Sequence, residues 1–339
     1  MLEFLAPWQF DPFAVLGLVL GAGIYGAGIV RGARPSVWAV AAYSLGLALM
    51  YAVLHTRLDY YAQYLFAAHR GQHLVLHHLG PFLIALSNPV PVWRRAFGGR
   101  LVVPDWLKAL YRFLQHPVIA PVLFVGLIFL WLQPEIHFDA MLNHRLYLLM
   151  NWSMALDGLL FWWLMMAPRS HEPPAAAADA SALARRAPSG RLDVPPSTPA
   201  ATSSPRDAPE RRLDALATES RTTWEPVPRD PGHLVDLGYG TRVLILLAVM
   251  FPQIVLGAYI ALGPADLYDV YSVCGRAFPL SPADDQLYGG LLTWIPAAMM
   301  SVLGAVIVLG RWMHDDVERQ PRPRGPKQKA SREGAKARR

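Results

Sequence analysis

Five of the eleven histidines, His55, His69, His73, His77 and His78, fall between residues 55 and 78. His69, His73 and His77 are spaced i, i+4, i+8, which on an α-helix holds them within an arc of about 80° and stacks them over about 12 Å. Imidazole coordinates transition metals and serves as an axial ligand to haem. In an apolar helix it also has a plainer use, hydrogen bonding to neighbouring helices. On α-helical geometry His78 points away from the stripe, and Arg70 stands beside it. On a later apolar stretch Met150, Asn151 and Met154 lie one or two turns from Asp157, and Asp285 with Gln286 opens the last one. Imidazole with thioether and little thiolate suits copper better than zinc or calcium, although methionine also simply packs. Asp157 fits three roles: a ligand, the orienter of a histidine, or a partner for Arg70.

These groups are unusual because the chain around them is so apolar. Of 339 residues, 53% are hydrophobic and 17% charged, against about 25% charged in soluble domains. That excludes a soluble globular enzyme and predicts an all-α, polytopic membrane bundle. Seven spans are expected, at 12–30, 36–54, 62–87, 117–133, 146–167, 241–263 and 286–312. Arg31, Arg34, Arg94, Arg95, Arg100, Lys108 and Arg112 lie in alternate short loops, so the N-terminus is expected outside and the C-terminus in the cytoplasm. On that topology the third span begins near residue 62, with His69 some two turns in. The one cysteine, Cys274, excludes an intrachain disulfide, a CxxC redox site and a thiolate metal cluster.

Four parts follow. Residues 1–167 form a five-helix part carrying the histidine ladder, and 241–312 a two-helix part. Between them, 168–240 holds twelve of the thirty prolines, thirteen alanines and nine arginines, a composition expected to stay disordered in the cytoplasm. The stretch 313–339 is a basic tail, expected to report topology and anionic lipid and not nucleic acid.

Three stretches carry a resemblance: "HRGQHLVLHHLGPFLIALSNPVPVWRR" from His69, "LMNWSMALDGLLFWW" from Leu149, and "DDQLYGGLLTWIPAAMM" from Asp284. Together they resemble the CtaG family of cytochrome c oxidase assembly proteins, in its multi-span membrane form. The resemblance implies a bacterial inner-membrane protein that helps build haem–copper oxidase, with copper as its cargo and oxidase subunits or other assembly factors as partners. His69, His73 and His77 match the family's histidine-rich third span, and Asp285 with Gln286 its last-span signature. One position departs: many members carry a histidine eleven residues before the aromatic pair of "LLFWW", where this chain has Asn151. The candidate metal ligands are therefore His69, His73, His77, Met150, Met154, Asp157 and Asp285, for Cu(I).

No nucleophile–base set, phosphate loop or dinucleotide motif appears, so no enzyme activity is expected. The glycines of Gly17–Gly28 lie inside the first span and fit close helix packing. Two other functions remain open on the residues alone. A b-type haem electron carrier needs a second axial histidine across the bundle, and the fifth, sixth and seventh spans supply none. A copper permease needs ligands down to the cytoplasmic side, where the third span is apolar apart from Ser87 and Asn88.

Overall fold

A computed structural model describes residues 6–7, 10–98, 104–168, 237–264 and 266–319. Most of the expected linker and most of the basic tail lie outside the described residues, although the helix beginning at Tyr239 starts within the linker's expected bounds. Those described are helical apart from short connections, with one isolated bridge between Pro7 and Thr56. Five helices are long and apolar enough to cross a bilayer: α1 (Pro12–Val30), α2 (Val37–His55), α10 (His144–Met166), α11 (Tyr239–Leu262) and α13 (Pro282–Arg319). Their starts are encoded locally. Asp11 accepts from the Phe13 and Ala14 amides before α1, Ser36 from the Ala39 amide before α2, and Asn143 from the Arg145 and Leu146 amides before α10, so each side chain satisfies otherwise orphaned donors.

The expected third span differs in its start and in its middle. A separate short helix, α3 (Arg57–Tyr64), ends at Leu65, whose backbone is extended. The chain then resumes as α4 (Phe66–His73), a π-helical turn (Leu74–Leu79) and α5 (Gly80–Leu86). His69 therefore sits in the first turn of its helix and not two turns in. The new start lacks a cap of its own. Asp285, at the beginning of α13, supplies it by accepting from the Phe66 and Ala67 amides at 3.0 and 2.9 Å.

The π turn has a cause in the sequence. Pro81 has no N–H to give to the carbonyl four residues back, that of His77, and its ring crowds that carbonyl. The Gly80 amide instead bonds to the Val75 carbonyl, five residues back. The freed His77 carbonyl then packs on α10 at Gly158. A Cβ there would lie 2.5 Å from the His77 oxygen, so only glycine allows this approach.

The expected fourth span is short: α8 (Ile119–Trp131) has 13 residues, about 20 Å of helix. It meets α7 (Asp105–Leu114) at a 72° bend. No residue of α7 is buried; its apolar face, with Trp106, Leu110 and Phe113, is exposed. Two short helices, α6 (Val90–Ala96) and α9 (Pro134–Leu142), join the longer ones, and α12 (Val270–Val273) lies between α11 and α13.

The last-span signature acts as a fastening. Gln286 donates to the Ile260 and Pro264 carbonyls and accepts from the Leu267 amide, each within 2.9 Å. Gly289 abuts the Phe66 ring, Gly290 the backbone of Ala261, and Trp294 fills the space beside Gly257. Pro296 leaves the Leu292 carbonyl without its helical donor, and Leu292, Thr293 and Ala297 face the histidine helix. Phe124, Phe161, Trp162 and Leu246 form a fully buried apolar cluster on the other side of it.

Candidate metal centre

His69, His73, His77 and His78 are all buried. The sequence placed His78 off the stripe, on 100° per residue throughout. The π turn widens the helix locally, so His77 and His78 both turn inward, their rings 5.0 Å apart and perpendicular. His77 stacks on Phe124 at 4.1 Å, and His78 meets the edges of Phe124 and Trp162.

With Asp157 ionised, and so an acceptor only, His77 Nε2 donates to its Oδ2 at 2.9 Å. The Nδ1 lone pair of His77 then has no hydrogen-bond partner among the described residues, nor does Nδ1 of His78. A carboxylate holding one ring nitrogen while the other stays open is the arrangement that orients metal-binding histidines and raises their basicity. Of the three partners open to Asp157, it is His77 that it meets in the structure. Among the described residues no carboxylate pairs with Arg70, whose Nε donates to Thr293 Oγ1 at 3.0 Å.

One level along the helix the pattern changes. His73 Nε2 donates to Asn151 Oδ1 at 3.1 Å, and its Nδ1 faces Arg70 Nη1 at 3.4 Å, so both nitrogens are engaged. His69 stacks on His73 with ring centroids 4.3 Å apart. Among the described residues neither of its nitrogens makes a hydrogen bond of normal geometry, although the Ala62 carbonyl is its polar neighbour.

A histidine that the sequence did not single out completes this level. His137, on α9, lies edge-on to His69 at 5.0 Å. Its Nδ1 donates to the Trp131 carbonyl and its Nε2 accepts from the Tyr271 hydroxyl, both at 3.0 Å. Burial pushes its pKa down to about 4, so the ring is neutral at physiological pH. Nothing in its short interhelical stretch marks it, because the contact comes from the tertiary fold.

A cavity of about 10 Å³ is bounded by Arg70, His73, His77, His78, Met154 and Thr293, room for about one water molecule or a bare ion. Of the residues singled out from the sequence, His73, His77 and Met154 meet there, with Asp157 behind His77. His69 adjoins them through His73. Met150 is buried in an apolar cluster with Phe66, Tyr147 and Met154. Asp285 stands apart, both oxygens engaged by α4 amides and Arg276 3.5 Å from one of them. Among the described residues no group of three or more His, Cys, Asp or Glu side chains has metal-holding geometry. The cavity is lined instead by three imidazoles, of which His73 has both nitrogens engaged, and by the Met154 thioether, donor types that suit a soft, low-coordinate ion.

The description "Cytochrome c oxidase caa3 assembly factor (Caa3_CtaG)" matches residues 23–186 and 219–315. An uncharacterized protein of Mycobacterium leprae (strain TN), ML1998, is 29% identical over 182 residues, which is 49% of this chain and 27% of that protein. The chain thus spans about a quarter of the length of the curated relative it matches. No solved structure matches the chain. With a family match over most of its length, on both sides of the expected linker, this membrane protein belongs to the cytochrome c oxidase caa3 assembly factor family.

Proposed function

We propose that this chain supports assembly of haem–copper cytochrome c oxidase in a bacterial inner membrane by holding Cu(I) transiently at the π turn and passing it on. The role is carriage and not catalysis, with oxidase subunits or other assembly factors as partners. The observation that carries the reading is the open Nδ1 of His77, backed by Asp157 and set beside His78 and Met154 around a cavity of ion size. Cu(I) accepts imidazole and thioether donors, so the cavity needs no third imidazole or carboxylate. Arg70 in the same wall raises the cost of a resident cation, which favours release over storage. The chain is read with seven spans, N-terminus outside, counting Phe66–Leu86 and the short α8 as the third and fourth.

A cavity of about 10 Å³ holds no macrocycle, which weighs against the haem reading. Deleting the gene and assaying oxidase in copper-poor and copper-rich medium tests the proposal. Expected is a loss of activity in copper-poor medium that added copper or the wild-type gene restores, and that a His77→Ala, His78→Ala gene does not. Normal oxidase in copper-poor medium overturns the assembly role. A Soret band in the purified protein overturns copper as the sole cargo.

A further inference from the structure

Asn151 has a second neighbour besides His73. It also lines a cavity of about 200 Å³ at the end of the bundle where α1 begins, α2 ends and α10 begins. Leu54, Phe13 and Leu148 give this cavity apolar walls, and Asp11, Asp59 and His144 give it polar ones. We infer that this vestibule is the port through which a monovalent soft metal ion reaches the histidine cluster, with Asn151 as the gate between port and His73. The inference rests on the copper reading of the cluster.

Three observations lead to it. The first is size. The vestibule has twentyfold the volume of the inner cavity, so it admits an ion that still carries water or a donor side chain, while the inner one takes a bare ion. Ligand exchange therefore belongs between them, where Asn151 sits. The second is charge. Among the described residues, two carboxylates and no Lys or Arg line the vestibule. A third cavity, of about 500 Å³, is lined by Arg34 and Arg95 and, among the described residues, by no carboxylate. Cations are attracted to the first and repelled from the other.

The third observation is how the carboxylates are held. Asp59 accepts from Gln72 Nε2, Tyr147 Oη and Gln63 Nε2, at 2.8, 2.6 and 2.7 Å. Asp11 caps α1. Their charge draws a cation in, while their oxygens are largely occupied and do not trap it. Asn151 offers a single amide oxygen, already bonded to His73. Displacing that bond frees His73 Nε2 and opens the way inward.

The test uses the full chain in lipid nanodiscs and measures uptake of Cu(I) from its bicinchoninate complex, both rate and final stoichiometry. Leu148→Trp narrows the vestibule without touching the cluster, and Leu148→Phe is a gentler form should the larger ring prevent folding. Expected is uptake slowed by about tenfold or more, with the final stoichiometry unchanged, because access governs the association rate. Asp11→Asn, which keeps the α1 cap, is expected to slow uptake about threefold at low salt and less at high salt. Uptake at the wild-type rate in both Leu148 variants overturns the port and leaves the copper site standing. Wild-type protein that takes up no copper overturns the site and the port with it.

Discussion

His73 and His77 both reach from the histidine helix to α10, and the partners of their two ring nitrogens differ. His73 meets an amide, Asn151, and its other nitrogen faces the Arg70 guanidinium. His77 meets a carboxylate, Asp157, and its other nitrogen has no partner among the described residues. The first is a closed hydrogen-bond chain that fixes the packing of two helices. The second is a ring held from behind with a lone pair to offer. A buried imidazole becomes a ligand through what its second nitrogen lacks, so burial and spacing alone do not separate the two cases.

The largest effect expected on this contrast comes from Asp157→Ala. It breaks a buried pair and leaves His77 Nε2–H without an acceptor, costing about 3 kcal/mol in unfolding measurements in detergent. Copper affinity should fall by about 10- to 100-fold, as for lost orienting groups at other metal sites. Asp157→Asn keeps an acceptor and should recover part of both. Unchanged copper affinity in Asp157→Ala would mean that the carboxylate serves packing alone, and the contrast with His73 would vanish.

Next is Gly158→Ala. Its Cβ would strike the His77 carbonyl at 2.5 Å, and both are backbone-linked, so the π turn or α10 must shift. Overpacking of this kind costs about 2 kcal/mol, and copper retention should fall with it. Asn151→Ala removes one neutral hydrogen bond to His73 and should cost about 1 kcal/mol, with equilibrium copper affinity unchanged. An equal loss of affinity in Asn151→Ala and Asp157→Ala breaks the comparison from the other side.

The smallest effect is expected from His69→Leu. The imidazole makes no hydrogen bond of normal geometry among the described residues, so an apolar side chain of similar size should change stability by less than about 1 kcal/mol. Copper bound at equilibrium should stay near the wild-type amount. Loss of all copper in His69→Leu would move the site to the His69, His73 and His137 level.

The sequence made the long apolar helices and the buried histidine stripe legible, because both rest on local periodicity and length. It also picked out Asp157, Met154 and the Asp285–Gln286 signature by their type and position. It did not show what Asp285 does, since that depends on α4 starting afresh at Phe66 after an extended Leu65. It misplaced His78 because 100° per residue fails across a π turn. Pro81, four residues after His77, was the available signal for that turn. His137 had no local signal: its place beside His69 is set by how α9 folds back on the bundle.

Copper K-edge X-ray absorption of the Cu(I)-loaded wild-type protein, set against Met154→Leu and His77→Ala, tests the central claim most directly. The account predicts imidazole scattering with one sulfur in the wild-type shell, loss of that sulfur in Met154→Leu, and loss of bound copper in His77→Ala. A copper shell without sulfur that survives His77→Ala unchanged would contradict it.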